Sequence, residues 1–199
     1  MTKIIGITGG IASGKSTVTG IIRKAGYKVV DADSLVHDLQ AKGGALYKAL
    51  LAWLGTGILL DNGELDRSKL SALIFGNEEK RAQSAQLQNP IIRRELAKKR
   101  AELAQTESLF FMDIPLLIEQ DYRKWFDAVW IVYADKSTQI RRLMERNGYS
   151  QDEAQKRLAS QMPLKEKCQY ADAVIDNNGS LADLQEQVTK LLKRLEDAG

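Results

Sequence analysis

Gly9-Gly10-Ile11-Ala12-Ser13-Gly14-Lys15-Ser16-Thr17 constrains this chain more than any other stretch. It fits the phosphate-binding template G-x-x-x-x-G-K-[ST], which requires a strand before it and a helix after it. Both are legible. Lys3-Ile4-Ile5-Gly6-Ile7-Thr8 reads as a short buried strand, and Lys15 to Ala25 has helical character. The residue types follow from the task of holding a polyphosphate. Glycines let the main chain curl closely, where a Cβ would block the approach. The curl aims several backbone N–H groups inward, at the positive end of the following helix. Lys15 adds a compact, mobile positive charge for the β- and γ-phosphates. The Ser16 hydroxyl can complete the coordination of a Mg²⁺ ion carried by those phosphates. A plain glycine-rich turn is the alternative, but at average residue usage a chance match in a chain this long has odds below roughly 1 in 100. A nucleoside triphosphate site is expected; what is done with the triphosphate is a separate question.

At 199 residues the chain suits one α/β domain with small insertions, and 44% hydrophobic residues are ample for a core. The formal charge of +3 is too small to argue for bulk nucleic-acid or membrane binding. Cys168 is the one cysteine, so neither an intrachain disulfide nor a thiolate zinc cluster can form, which suits a reducing compartment. The apolar start runs straight into Gly14-Lys15-Ser16, so reading it as a cleaved signal would destroy the strongest motif. Apolar runs stay short of the roughly 20 residues a membrane helix needs. A soluble, cytoplasmic protein is expected.

After the first helix, Tyr27-Lys28-Val29-Val30-Asp31 reads as a second strand, ending in Asp31-Ala32-Asp33. Ligands of open α/β sheets sit outside the carboxyl ends of the strands, so these carboxylates are candidates for the site. A carboxylate there can accept a proton from a hydroxyl attacking the γ-phosphate, or hold Mg²⁺ through water. Asp33 is equally well placed to cap the next helix, and one residue can do both. Residues 34–106 lack a clear strand and are helical by pattern, divided by turn signals at Gly43-Gly44, Gly55-Thr56-Gly57 and Asp61-Asn62-Gly63. One helix is predicted from Asp66 to Phe75, and one or two more from Glu78 to Thr106, with a break or a helix first turn at Pro90. Arg93, Arg94, Lys98, Lys99 and Arg100 read as a solvated helix face, and His37 as an ordinary surface residue.

Leu109-Phe110-Phe111-Met112-Asp113 is an apolar run closing on a carboxylate, which suits a strand buried on both faces. Asp113 then emerges where an acidic partner for Mg²⁺ is wanted, unless it only makes a turn with Ile114-Pro115. Ala128–Tyr133 and Ala173–Asp176 read as the last two strands. Between them, Arg142 and Arg146 stand at i and i+4 on one helix face, Gly148 stops that helix, and Ser150 with Glu153 forms a capping box for the next. Arg157 lies on that second helix. Two helices bearing convergent arginines suit a lid, since the guanidinium fork grips phosphate oxygens; a solvated charged face is the alternative. A closing helix from Leu181 to Leu195 packs through Leu184, Val188, Leu191, Leu192 and Leu195.

Taken together, these residues resemble the dephospho-coenzyme A kinases over almost the whole chain. The marks are Thr8-Gly9-Gly10-Ile11 leading into Ser13–Thr17, then Asp31-Ala32-Asp33, then Asp113-Ile114-Pro115-Leu116-Leu117. Arg142, Arg146 and Gln161 follow, then Ala171-Asp172 leading into Ile175-Asp176-Asn177-Asn178-Gly179. The D-x-P-L-L and I-D-N-N-G elements are the particular ones, because many families share the phosphate loop. The resemblance implies a three-layer phosphate-loop kinase core with a five-stranded parallel sheet, in residues 1–33, 107–135 and 172–199. It further implies a helical acceptor subdomain in 34–106 and a lid in 136–171. The implied reaction moves the γ-phosphate of ATP to the 3′-hydroxyl of dephospho-coenzyme A. Carried over by position, Ala12, Ser13, Gly14, Lys15, Ser16 and Thr17 wrap the ATP phosphates and Asn177 lies near the adenine. Asp33 is the base, Lys15, Arg142 and Arg146 neutralise charge, and Asp113, Pro115 and Leu116 join Asp33 on the acceptor side. Mg²⁺ is the implied cofactor, at Ser16 and, through water, Asp113. ATP and dephospho-coenzyme A are the expected partners, with no nucleic acid and no membrane; a monomer is expected and an oligomer is left open. Two positions depart from the pattern. Ala12 stands where the family often has glycine, which asks that its backbone avoid positive φ, and Asn89 stands where histidine is expected before Pro90.

Other readings of the same residues are a nucleoside or nucleotide kinase, a GTPase-type switch and a nucleic-acid-dependent ATPase. The second lacks the N-K-x-D guanine signature anywhere in the chain, and the third lacks both the charge and a second motor domain.

Overall fold

Lys3–Gly9, the strand that runs into the glycine-rich turn, is β1, and it is buried from Ile4 onward because it occupies the middle of the sheet. The computed structural model describes residues 2–75 and 77–197. The other strands are β2 (Lys28–Asp31), β3 (Leu109–Asp113), β4 (Ala128–Tyr133) and β5 (Ala173–Asp176), and the five lie in the order β2-β3-β1-β4-β5. β1 pairs in parallel with β3 on one side and β4 on the other, and β4 pairs in parallel with β5. Strands covered on both faces have no polar side to alternate with, which is why β3 and β4 read as unbroken apolar runs. All five expected strands are present. The first runs one residue longer than predicted, to Gly9, and the second starts at Lys28 rather than Tyr27.

The helices are α1 (Lys15–Lys24), α2 (Ala32–Leu39), α3 (Ala45–Leu54), α4 (Arg67–Phe75), α5 (Glu78–Leu103), α6 (Lys136–Asn147), α7 (Gln151–Ala159), α8 (Leu164–Lys167) and α9 (Leu181–Asp197). Val18 and Ile22 of α1 and Leu184, Val188 and Leu192 of α9 close over Ile5, Ile7, Phe111, Trp130, Val132 and Ile175 of the sheet. Each such large side chain, fully buried, contributes about 1.5–3 kcal/mol. The expected stripe on the last helix is therefore its core face, with Leu191 and Leu195 packed at the margin. Gly148, at φ 68°, ends α6, and Ser150 and Glu153 form the reciprocal capping box that starts α7.

The chain divides into two compact units, one of residues up to Val30 and from Glu107 onward, the other Asp31–Thr106. The first contains α6, α7 and α8. The second is helical around Tyr47, Leu50, Ile58, Leu65 and Leu70, with a single antiparallel bridge between Leu59 and Leu65 among its described residues. Its α2 is capped by Asp31, whose carboxylate accepts the Ser34 N–H; Asp33, the candidate cap in the sequence, lies two residues further in, in the first turn. α5 corrects a second expectation. It runs through Pro90 as one helix of 26 residues, with neither a break nor a new start there. Proline removes the bond that Gln86 would have accepted, but both residues face solvent, where water can serve that carbonyl. No helix among the described residues is long and apolar enough to cross a membrane.

Candidate active site

The turn from Gly10 to Gly14 joins the buried end of β1 to the first turn of α1, with Gly14 as the helix N-cap at φ 89°. Its carbonyls are occupied from outside. Gln139 Nε2 donates to Ile11 O at 2.7 Å, Asn177 Nδ2 donates to Ser13 O at 2.7 Å, and Arg142 reaches both Ala12 O and Ser13 O at 3.4 Å. With the oxygens held this way, the N–H groups of Ala12, Gly14, Lys15 and Ser16 have no protein acceptor among the described residues. Unpaired amides at the positive end of a helix make a ready anion site. Gly14 cannot be anything larger, because a Cβ there would lie 1.9 Å from Asn177 Nδ2.

Ala12 contradicts its expectation. It sits at φ 58°, in the left-handed region that alanine was expected to avoid. An L-residue with a Cβ loses roughly 1–2 kcal/mol there. The bonds made by the carbonyls on either side of its Cα, Ile11 O to Gln139 and Ala12 O to Arg142, fix the conformation despite that.

Lys15 forms an ion pair with Asp113, whose residue is only 3% exposed at the end of β3. This brings the loop lysine and the expected acidic partner together. The turn after Asp113 is held in its own right: Pro115 O accepts from Thr8 Oγ1 at 2.9 Å and from Lys167 Nζ at 3.3 Å, and Lys167 also pairs with Glu119 at 2.8 Å. Leu116 is half-buried beside it.

Arg142 and Asn177 also bind each other, Arg142 NH2 donating to Asn177 O at 2.8 Å. Arg146, one turn on, does not join them; it is exposed and donates to Asn147 Oδ1 at 2.9 Å. Arg157 stacks 4.3 Å from the Tyr149 ring centroid. Asp33 belongs to the other unit and is exposed in the first turn of α2. His37, also exposed there, meets Arg67 at 2.7 Å. Beside the loop, Gly10, Ile11, Gln139, Leu158, Gln161 and Leu164 line part of a cleft of about 540 Å³.

A family model described as dephospho-CoA kinase matches residues 3–183. The chain belongs to the dephospho-CoA kinase family. Among its relatives, the dephospho-CoA kinase of Streptococcus mutans is 61% identical over 197 residues, covering 99% of this chain and 100% of that one. A crystal structure of a Thermus thermophilus protein is 34% identical over 98% of both chains, with a TM-score of 0.81. The dephospho-CoA kinase from Campylobacter jejuni is 27% identical over 100% of this chain and 99% of its own, with a TM-score of 0.76.

Several elements that mark the family in this sequence have visible structural work. Asp172 caps the start of β4 by accepting the Val129 N–H at 2.7 Å, and Asn178 accepts the Asp135 N–H at 2.9 Å. Two residues escaped sequence reasoning. Gln139 lies three positions before Arg142, so their shared helix face was the signal that could have found it. Lys167 is fully buried, and nothing in its sequence neighbourhood marks a lysine as interior.

The fit to Mg²⁺ rests on the donor set. Among the described residues no group of His, Cys, Asp or Glu could cage a metal by itself. Mg²⁺ does not need such a cage; it keeps waters and takes one or two protein oxygens beside nucleotide phosphates. The Ser16 hydroxyl, exposed at the start of α1, and the Asp113 carboxylate are oxygens of that kind.

Proposed function

We propose that this chain transfers the γ-phosphate of ATP to the ribose 3′-hydroxyl of dephospho-coenzyme A, giving coenzyme A and ADP, the last step in making that cofactor. The observation that carries this is the set of unpaired N–H groups at Ala12, Gly14, Lys15 and Ser16, beside an ion-paired Lys15, in a chain of the dephospho-CoA kinase family. The transfer is in line, without a covalent enzyme intermediate, because a loose phosphoryl transition state asks for positioning and charge rather than for bonds to the protein.

The loop amides of Ala12 to Thr17 hold the triphosphate. Lys15 leaves Asp113 for the β- and γ-phosphates as ATP enters. Arg142 and Asn177 brace the loop from behind, and Arg142 lends positive charge to the phosphates; Asn177 lies on the adenine side. Arg146 joins them when the helices of 136–171 close as a lid, which excludes water that would otherwise consume ATP. Asp33 orients the 3′-hydroxyl and takes its proton; the support is its place directly after the carboxyl end of β2. We assign reception of the acceptor to residues 34–106, and further acceptor contacts to Asp113, Pro115 and Leu116. Ser16 and Asp113 would hold Mg²⁺, which when bound offsets phosphate charge. We take the enzyme to be cytoplasmic and to act as a monomer on small molecules; the formal charge of +3 gives no reason to expect a nucleic-acid partner.

The test is incubation of the chain with Mg·ATP and dephospho-coenzyme A, followed by mass spectrometry for coenzyme A and phosphorus NMR for the 3′ position. Parallel incubations with nucleosides and nucleoside monophosphates check the other kinase reading. Turnover of those acceptors with none of dephospho-coenzyme A would overturn the assignment.

A further inference from the structure

Two amide side chains close on Ile11, immediately before the left-handed Ala12. Gln139, on α6 and only 5% exposed, donates from Nε2 to Ile11 O at 2.7 Å. Gln161, between α7 and α8, accepts the Ile11 N–H on its Oε1 at 3.3 Å. Gly10 leaves the room for this: a Cβ there would stand 2.6 Å from Gln139 Nε2. Both polar groups of one loop residue are thus gripped by side chains that come from far along the chain. The next residue holds φ 58° with a Cβ in place, a conformation that persists only where the surroundings over-determine it.

We propose that Gln139 and Gln161 are positioning residues for phosphate transfer. By fixing Ile11 through both its N–H and its C=O, they hold Ala12 left-handed. That keeps the N–H groups of Ala12, Gly14, Lys15 and Ser16 turned toward the triphosphate before it arrives. Without the clamp, Ala12 relaxes to negative φ, the loop amides turn away, and part of the binding energy of ATP is spent on restoring them. This rests on the reading of the loop as the ATP site. It goes beyond that reading in naming what sets the loop's shape, and why an alanine is tolerated where glycine is the easier choice.

The test is a mutant pair read by calorimetric ATP binding with no acceptor present, so an error in the acceptor leaves it untouched. Gln139→Met keeps length and bulk but loses the donor. ATP affinity is expected to fall about tenfold, because the left-handed penalty at Ala12 must now be met on binding. Thermal unfolding is expected to move little, since relaxing that penalty in the free chain offsets the lost hydrogen bond. Ala12→Gly placed in that variant is expected to restore affinity to within about twofold of Ala12→Gly alone, because glycine takes positive φ without a Cβ penalty. A general packing defect would not be rescued at residue 12. If Gln139→Met binds ATP as the parent does, or Ala12→Gly leaves its defect in place, the clamp has no positioning role. Should Gln139→Met fail to fold, the half-buried Gln161→Met is read by the same two criteria. A parent chain that binds no ATP overturns the nucleotide reading, and this inference with it.

Discussion

Lys15, the first residue of α1, is ion-paired with Asp113 at the end of β3, so the ammonium proposed to meet the β- and γ-phosphates is held by a buried carboxylate. The pair ties the Lys15 side chain to the end of β3. It also makes nucleotide entry an exchange of one anion for another, so little net desolvation of the lysine is required.

That pairing predicts different behaviour for stability and for turnover. Lys15→Met takes the Lys15 ammonium away from the Asp113 carboxyl, which is 4% exposed. Breaking a buried pair from one side costs roughly 3–5 kcal/mol, and the lower end applies here because the Lys15 side chain is 17% exposed. Thermal unfolding without nucleotide should move down by several degrees and turnover should be lost. Adding Asp113→Asn should recover most of the melting temperature and none of the turnover. An unshifted melting temperature in the single variant would show that the ion pair does not support the fold.

Asp33→Asn separates chemistry from binding. Losing a positioned base lowers turnover by about 10²–10⁴-fold. ATP affinity measured without acceptor should stay at the parent value, since the loop amides, Lys15 and Arg142 are untouched. Comparable losses in both quantities would mean that Asp33 supports the fold or the nucleotide rather than the hydroxyl.

Ser13 supplies a stability test inside the loop. Its Oγ is fully buried and has no hydrogen-bond partner among the described residues, while its backbone carbonyl is the group that Asn177 and Arg142 hold. A buried unpaired hydroxyl costs about 1–3 kcal/mol. Ser13→Ala removes the hydroxyl and keeps the carbonyl, so chemical denaturation should show a gain of about 1 kcal/mol. ATP affinity should be unchanged. A loss of affinity would show that the hydroxyl, not only the main chain, serves the phosphates.

Local chemistry made much of this architecture legible in the sequence. β3 and β4 are dominated by apolar runs, and the capping box at Ser150 and Glu153 is complete within three positions. The phosphate loop is one contiguous motif. The braces of that loop were harder to read, because they depend on tertiary distance: Gln139 and Asn177 reach it from 128 and 164 residues away. The i, i+4 spacing could not separate Arg142 from Arg146 either, since it fixes only the direction of each side chain. In the structure the first reaches the loop and the second ends on Asn147. Propensity alone misplaces Ala12, because surrounding bonds can hold a residue where propensity disfavours it.

Pro90 gives the last prediction, and it opposes stability to function. It stands inside α5, exposed, where proline is roughly 3 kcal/mol worse than alanine in a helix interior. Pro90→Ala gives the Gln86 carbonyl its missing donor and removes the ring's clash with it. The neighbouring turns already have helical geometry, so nothing else must move. The variant should unfold at a higher temperature, by about 1–3 kcal/mol of added stability. If residues 34–106 receive the acceptor, as proposed, the same change should raise the KM for dephospho-coenzyme A and leave that for ATP alone. A helix stabilised with both constants unchanged would show that the bend-prone position at Pro90 has no part in acceptor binding. A helix not stabilised would mean that the proline ring makes contacts worth as much as the hydrogen bond it forbids.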